Sequence, residues 1–304
     1  MPIKIPNDLP ATAVLSSERV FVMTEERAEH QDIRPLEFLF LNLMPKKITT
    51  EIQYLRKLSN SPIQINIELL RVDQHVSRNT PQKHLDTFYK NFDEVEDRYY
   101  DGMIITGAPL DQVDFDDVNY WERLERMIRW SSEHVTSTLF SCWAVAAALK
   151  VFYDLPLMYR KDKLSGIFWE NSAHSTDPLI RGFDDRFLAP QSRFIDFPTS
   201  IIEEKTDLQV LADSPRTGMF LGCSPDKRQI YVTGHPEYDA STLAEEYRRD
   251  LNAGKNPNIP ENYFPHDDPD LPPPCVWRSH ASLLFANWVN YIYQETPYIL
   301  GNRR

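Results

Sequence analysis

Cys142 stands where an apolar run gives way to an alanine-rich segment. Residues 135–140 predict a buried strand, and the residues from Trp143 onward predict a helix. A cysteine at such a strand-to-helix turn is pushed out of the sheet, and its thiolate is favoured by the positive end of the helix. The backbone N–H of Trp143 is then placed to receive an oxyanion. The alternative interpretation is that Cys142 is a small buried apolar residue.

A second candidate for chemistry is the segment of residues 232–238, in which His235 and Glu237 flank Pro236. It follows an apolar run and precedes a predicted helix. In an extended segment, residues two apart project to the same side, so we expect the imidazole and the carboxylate to meet. A carboxylate beside an imidazole fixes its tautomer and stabilises the imidazolium, as in Cys/His/acid triads. The alternative is a histidine at a strand end near an unrelated surface glutamate.

The elements around these residues alternate between strand-like and helix-like patterns. Short apolar runs predict strands over residues 36–43, 63–72, 103–106, 135–140, 208–212, 219–222 and 229–233. Helical patterns cover residues 48–58, 120–133, 143–152, 240–253 and 279–294. This alternation predicts an α/β fold, with a mostly parallel sheet and helices on both faces. Cys142 and His235 then both lie at carboxyl ends of strands, where open α/β sheets place their sites.

The boundaries of the later elements carry their own signals. Asp239 is a candidate N-cap for the helix over residues 240–253, and Gly254 suits its C′ position. Residues 255–274, rich in Pro, Asn and Asp, predict a long loop. The sequence contains neither repeats nor a low-complexity linker. We therefore expect residues 1–304 to form a single domain with loop insertions.

Composition excludes several classes of function. Lys and Arg number 33 against 45 Asp and Glu, a net charge of −12, which is unsuited to binding nucleic acid. No apolar run approaches the ~18 residues of a membrane span. The N-terminus lacks a basic region followed by an apolar stretch, so no secretory signal is expected. Three scattered cysteines predict neither a disulfide scaffold nor a metal site, and favour a cytoplasmic protein.

The order of a cysteine elbow followed by His-Pro-Glu resembles the class I glutamine amidotransferase fold, which is flavodoxin-like. The detailed sequence is similar to the MetA family of homoserine O-acyltransferases. The similarity extends from the N-terminus to about residue 298. The matching stretches are residues 43–47, 78–81, 106–110, 141–144, 163–166, 182–185, 234–239 and 277–280.

The resemblance implies ping-pong acyl transfer from acyl-CoA to L-homoserine, without a further cofactor. Cys142 would attack the thioester and hold the acyl group, His235 would act as general base, and Glu237 would orient it. A thiolate suits a thioester, because attacker and leaving group have similar basicity.

The resemblance also places substrate contacts on Lys163, Ser192 and Arg249. A guanidinium can form a fork to the carboxylate of an amino acid. Without the resemblance, Arg249 is expected to pair with Glu245 on a helix surface, and Lys163 to be solvated. Ser192 would then be a loop serine without a specific role.

Asp111 is the position on which the acyl donor depends. In the family, Gly at this position accompanies succinyl-CoA and Glu accompanies acetyl-CoA, and this sequence has neither. Because Asp111 is acidic, it should repel the free carboxylate of a succinyl group. Asp is one methylene shorter than Glu, so it could also turn away and admit the longer chain. The sequence therefore favours acetyl-CoA, with succinyl-CoA as the alternative.

Two other classes of function remain open. A glutamine amidotransferase or related cysteine hydrolase usually has glycine two residues before and after the nucleophile, where this chain has Phe140 and Ala144. A non-catalytic binding module would not need an intact cysteine, histidine and glutamate. The family is commonly dimeric, and the last predicted helix offers apolar surface for a homodimer through Trp288, Tyr291 and Tyr293.

Overall fold

A computed structural model of the protein describes residues 3–6, 8–18, 22–23, 35–72, 80–173 and 176–296. Residues 1, 2 and 7 of the N-terminus, together with Arg78 and Asn79 of one family stretch, lie outside the described residues. The strands are β1 (Ile3–Lys4), β2 (Val22–Met23), β3 (Leu36–Leu41), β4 (Ile65–Leu70), β5 (Tyr89–Lys90), β6 (Tyr100–Ile105), β7 (Val135–Ser141), β8 (Tyr159–Ser172), β9 (Arg186–Ile195), β10 (Gln209–Ser214), β11 (Gly218–Cys223) and β12 (Gln229–Val232).

The described helices surround these strands. They are α1 (Pro10–Ser17), α2 (Lys47–Leu58), α3 (Gln82–Phe88), α4 (Trp121–His134), α5 (Trp143–Tyr153), α6 (Thr199–Lys205), α7 (Thr242–Asn252) and α8 (Arg278–Glu295). Short 3₁₀ turns occupy Phe92–Glu94, Phe115–Asp117, Pro178–Ile180 and Pro265–Asp267. In the part of the chain that the structure describes, no helix combines the length and apolar character that a membrane crossing requires.

The described strands join into one sheet with the order β2-β1-β4-β3-β6-β7-β12-β11-β10-β8-β9, and β5 lies beside β4. From β2 to β12 every pairing is parallel. The remaining pairings, from β12 to β9, are antiparallel. The predicted α/β fold with a mostly parallel sheet is confirmed. Parallel strands β7 and β12 lie side by side, so their carboxyl ends place Cys142 and the 233–240 segment next to each other.

Alternate residues of the central strands pack into two different apolar layers, as strands buried on both faces require. Leu39 and Leu41 of β3 belong to the layer that contains α4 and α5. Phe38 and Phe40 belong to the layer that contains α1, α2 and α8. Trp288 of α8 is fully buried in this second layer, where its indole N–H donates to Ser137 Oγ at 2.9 Å. The expectation that Trp288 contributes to a dimer surface is therefore wrong, and the homodimer itself stays a prediction.

The predicted strands and helices all occur, with boundaries shifted by a few residues. Two long strands, β8 and β9, were not expected, because β8 begins with charged residues and β9 contains Pro190. Gly254 has φ +71° just beyond the C-terminus of α7, as predicted. The prediction that Asp239 caps α7 is wrong. The N-cap position belongs to Ser241, and the Asp239 carboxylate pairs with Arg56 at 2.6 Å.

Candidate active site

Cys142 occupies a tight turn between β7 and α5. Its φ of 51° and ψ of −114° are rare for a residue with a side chain and are typical of a strained functional turn. Its backbone N–H donates to the Val232 carbonyl at 2.8 Å, which ties the turn to the end of β12. Gly107 packs directly against the turn, since a Cβ atom there would lie 3.2 Å from the Cβ of Cys142. The structure therefore contains the predicted elbow, with the Trp143 N–H at the first turn of α5.

His235 and Glu237 are both buried and form a direct pair. His235 Nδ1 lies 2.7 Å from Glu237 Oε1. The sequence predicts an extended segment between them, but the structure differs. The segment is a turn closed by the Tyr238 N–H, which donates to the His235 carbonyl at 3.1 Å. The turn brings imidazole and carboxylate together as closely as the extended geometry was expected to do.

The charge state of His235 is set by its neighbours. Burial lowers the pKa of His235, but the Cys142 sulfur and the Glu237 carboxylate outweigh burial and hold that pKa well above its usual range. The imidazole ring also stacks on Tyr238, with ring centroids 4.1 Å apart. The arrangement can hold an imidazolium between a thiolate and a carboxylate, which is the charge distribution of an activated cysteine nucleophile.

Strand β9 contacts both Cys142 and the segment that carries His235. The His235 N–H donates to the Pro190 carbonyl at 2.9 Å, and the Ser192 carbonyl lies 4.0 Å from the sulfur of Cys142. Gly234 permits this approach, because a Cβ there would come within 2.6 Å of the Pro190 oxygen. The unexpected β8–β9 hairpin therefore forms one wall of the site.

Lys163 and Ser192 meet at a residue that the sequence analysis missed, Glu246 of α7. Its Oε2 accepts from Ser192 Oγ at 2.5 Å and lies 3.1 Å from Lys163 Nζ, and its Oε1 accepts from the Tyr238 hydroxyl at 2.6 Å. Burial raises the pKa of Glu246, but Lys163 and the two hydroxyl donors outweigh it and hold the pKa below its usual range. Glu246 thus links two predicted substrate contacts to the ring that stacks on His235.

Arg249 lies outside this cluster. Its guanidinium forms a fork to Asp250, with both N–O distances 3.0 Å, and the side chain is 58% exposed. Glu245, the partner expected without the resemblance, instead accepts from Ser241. Arg249 is three residues beyond Glu246 and so lies on the same face of α7. That spacing is the one sequence signal that could have identified Glu246.

Asp111 is held against β9 and does not turn away into solvent. Its Oδ2 accepts from the Phe194 N–H at 3.1 Å. Burial raises the pKa of the Asp111 carboxyl, and the Phe194 amide and the positive charges of His235, Lys163 and Arg193 only partly oppose this. The effect of His235 and Lys163 on this pKa indicates that both side chains are close to Asp111.

Comparisons with known proteins identify the family of this chain. A sequence model of the family HTS, homoserine O-succinyltransferase, matches residues 2–298 of the chain. This chain belongs to that family. It is 72% identical to the homoserine O-acetyltransferase of Succinatimonas hippei, over 98% of this chain and 99% of that protein. It is 58% identical to the homoserine O-succinyltransferase of Tolumonas auensis, over 99% and 96%. It is 56% identical to that of Vibrio campbellii, over 99% and 97%.

Solved structures identify the fold of this family member. A glutamine amidotransferase from Thermotoga maritima superposes with a TM-score of 0.54 at 12% identity, covering 85% of this chain and 99% of that one. At this identity the likeness speaks for the fold alone, and it confirms the predicted amidotransferase-like architecture. Among the described residues, no group of three or more His, Cys, Asp or Glu side chains could hold a metal ion.

Proposed function

We propose that this chain transfers an acyl group from acyl-CoA to the hydroxyl of L-homoserine through a thioester on Cys142. Family membership supports homoserine O-acyl transfer as the activity. The observation that carries the mechanism is the buried Cys142–His235–Glu237 constellation at the elbow between β7 and α5. The Cys142 thiolate attacks the thioester carbonyl, the C–S bond to CoA breaks, and the departing thiolate of CoA takes the proton of the His235 imidazolium.

The oxyanion formed in this attack needs hydrogen-bond donors already in place. The Trp143 N–H at the start of α5 is such a donor, and the positive end of the helix adds to its effect. In the second half-reaction, His235 takes the proton of the homoserine hydroxyl as its oxygen attacks the Cys142 thioester. Glu237 stabilises the resulting imidazolium. O-acyl homoserine leaves, and the thiolate is restored.

Homoserine binds beside β9 and α7 in this proposal. Lys163 and Ser192 contact the substrate, and Glu246 fixes their side chains at 3.1 and 2.5 Å. Arg249 receives the homoserine carboxylate with the guanidinium fork that Asp250 holds in this structure. Such a fork distinguishes a planar carboxylate from other anions by geometry as well as charge.

Acetyl-CoA is the donor that the geometry favours. The Asp111 carboxylate faces the site, where it disfavours a second carboxylate, and the Succinatimonas relative is named for acetyl transfer. Succinyl-CoA is the second candidate. By name, the comparisons back it better, because the family description and the Tolumonas and Vibrio relatives all specify succinyl transfer.

One experiment tests the activity and the donor together. The purified protein is mixed with acetyl-CoA or succinyl-CoA in the absence of homoserine, and the intact mass and the modified peptide are measured. We expect one acetyl group on Cys142, which added homoserine removes as O-acetylhomoserine. A faster succinyl adduct at Cys142 would overturn the donor assignment. An absent adduct, or one on Cys223 or Cys275, would overturn the mechanism.

A further inference from the structure

The carboxylate of Glu237 is supported on one oxygen only. Oε1 pairs with His235 Nδ1 at 2.7 Å, whereas Oε2 is buried and accepts no hydrogen bond from any residue that the structure describes. Burying a carboxylate oxygen without a donor is costly. The His235–Glu237 pair therefore needs neighbouring groups that compensate for this lost hydration.

Tyr54 of α2 is one of two α2 side chains close to the Glu237 carboxylate. It is 1% exposed, and its hydroxyl faces Glu237 and Ser141. Burial first, and then the negative charge of Glu237, raise the pKa of Tyr54 well above its usual range. The phenol therefore stays protonated and keeps its O–H as a donor beside Glu237.

Lys57 lies three residues further along α2, on the same helix face as Tyr54. Its side chain is buried, and burial lowers the pKa of Lys57. The neighbouring Cys275, Glu237 and Asp239 act in the opposite direction and favour the charged ammonium. A buried lysine is retained at such a site only when nearby negative charge compensates for lost hydration.

Helix α2 is fastened to the segment that carries His235 and Glu237. Arg56 Nη1 lies 2.6 Å from Asp239 Oδ1, and Gln53 Nε2 donates to Thr242 Oγ1 at 2.9 Å. These contacts come from the same two turns of α2 as Tyr54 and Lys57. These contacts fix the position of α2 relative to the 235–242 segment, so Tyr54 and Lys57 stay close to Glu237.

Two buried cations lie near the triad: Lys57 interacts with Glu237, and Arg193 interacts with Cys142. A Cys142 thiolate, a His235 imidazolium and a Glu237 carboxylate carry one net negative charge in a buried site. Neighbouring acids already have partners, since Asp239 pairs with Arg56 and Glu246 pairs with Lys163. The groups facing Glu237 and Lys57 are Tyr54 and Arg56 from α2, Cys142 from the elbow, His235, Tyr238 and Asp239 from the 235–242 segment, and Cys275.

We propose that Tyr54 and Lys57 are positioning residues for Glu237, which keep its carboxylate aimed at His235. Neither touches the reacting atoms; both act through Glu237. The inference rests on the proposed function, because it assigns Tyr54 and Lys57 to the triad of that reaction. The inference goes beyond the proposed function by adding a cation from α2, a helix that contributes no member of the triad.

The test is the pH dependence of acylation of Cys142, measured by rapid quench and mass with the full chain. Lys57→Met removes the charge while keeping an unbranched side chain of similar length. We expect both limbs of the profile to move to higher pH by about one unit, because loss of a cation favours the protonated form of every group nearby. Lys57→Arg should keep the wild-type limbs. Lys205→Met, on the exposed end of α6, is the matched control and should change nothing.

Tyr54→Phe provides a second, smaller change. It removes the hydroxyl that faces Glu237, and we expect acylation to slow about tenfold, the size of effect expected for losing one polar contact to a charged group, with the KM for acyl-CoA unchanged. If Lys57→Met is slow but its limbs stay in place, its role is structural and the proposal is overturned. If Lys57→Met does not fold, wild-type acylation in Tyr54→Phe overturns it. Failure of the wild-type protein to acylate Cys142 would instead reject the proposed function.

Discussion

The backbone N–H of His235 donates to the carbonyl of Pro190 at 2.9 Å, which joins the segment that contains His235 and Glu237 to the middle of β9. The same strand presents the Ser192 carbonyl 4.0 Å from the Cys142 sulfur and donates its Phe194 N–H to Asp111. Proline offers no N–H of its own, but its carbonyl remains free to accept this bond. A single strand therefore sets the spacing between Cys142, His235 and Asp111, the proposed nucleophile, base and donor-selecting residue.

Cys142→Ala should abolish acyl transfer while the protein stays folded. The change removes the sulfur that attacks the thioester, and alanine is smaller than cysteine, so it introduces no overlap at the elbow. We expect no acyl adduct and no O-acyl homoserine, with an unchanged circular dichroism spectrum. Cys223→Ala is the matched control. Burial raises the pKa of Cys223 to about 12, so this thiol is inert and its loss should leave turnover intact.

Glu246→Gln should impair the homoserine half-reaction more than the acyl-CoA half-reaction. The amide removes the negative charge that Lys163 and Ser192 share, so both substrate contacts lose their fixed positions. We expect the KM for homoserine to rise about tenfold or more, the effect of losing one hydrogen bond to a charged group. The burst of Cys142 acylation should keep its wild-type rate.

Glu245→Gln is the neighbouring control for this prediction. Glu245 is exposed, and its carboxylate accepts a hydrogen bond from Ser241 rather than from Lys163 or Ser192. It should leave both half-reactions unchanged. A Glu246→Gln protein that loses the acylation burst but keeps its homoserine KM would place Glu246 on the acyl-CoA side of the reaction.

The elbow could be predicted from sequence because its signals are local. An apolar strand, a cysteine and an alanine-rich helix follow one another without a gap, and the His-Pro-Glu segment similarly contains both of its functional side chains. The β8–β9 hairpin could not be predicted in this way. Its strands are stabilised by pairing with each other and by distant partners, and Pro190 argues against a strand on propensity alone. Glu246 was missed because its partners, Lys163 and Ser192, are 83 and 54 residues away.

Glu170 should make the protein less stable as the pH rises from about 4.5 to 7. Its carboxylate accepts from Gln191 at 3.1 Å and Thr217 at 2.8 Å, but burial outweighs these bonds and raises the pKa of Glu170 to about 7. The folded state therefore holds a proton that the unfolded state releases above its ordinary pKa of 4.5. Stability is highest below that value and declines through the folded pKa, by about 3 kcal/mol in total.

Urea unfolding at pH 5 and pH 8 measures this loss. Glu170→Gln cannot ionise, so its unfolding free energy should change less between the two pH values than that of the wild type. Glu203→Gln, an exposed carboxylate on α6, should retain the full wild-type dependence. Equal pH dependence in Glu170→Gln and the wild type would assign the effect to another buried group.

Asp111→Gly should shift the donor preference from acetyl-CoA toward succinyl-CoA. Two unit charges ~4 Å apart at an effective dielectric of ~20 repel by about 4 kcal/mol, which is roughly a thousandfold in rate. The Phe194 N–H holds the Asp111 carboxylate in place, so under the proposed function a succinyl carboxylate bound beside it would meet a fixed charge. We expect the ratio of kcat/KM values for acetyl-CoA and succinyl-CoA to fall by a factor of ten or more in the variant, in keeping with loss of one charge repulsion.

A second variant separates the effect of the charge of Asp111 from the effect of its volume. Asp111→Asn keeps the size of the side chain and removes its charge, so it should gain much of the same succinyl activity if repulsion is the cause. If only Asp111→Gly gains succinyl activity, the volume of the side chain is the cause.

Burial raises the pKa of Asp111, so repulsion should strengthen as the carboxyl ionises, and wild-type discrimination against succinyl-CoA should increase with pH. That increase should vanish in Asp111→Asn. A wild-type protein that prefers succinyl-CoA at every pH would overturn the repulsion argument and point to a cation that acts on Asp111, such as Lys163 or Arg193, as the partner of the succinyl carboxylate.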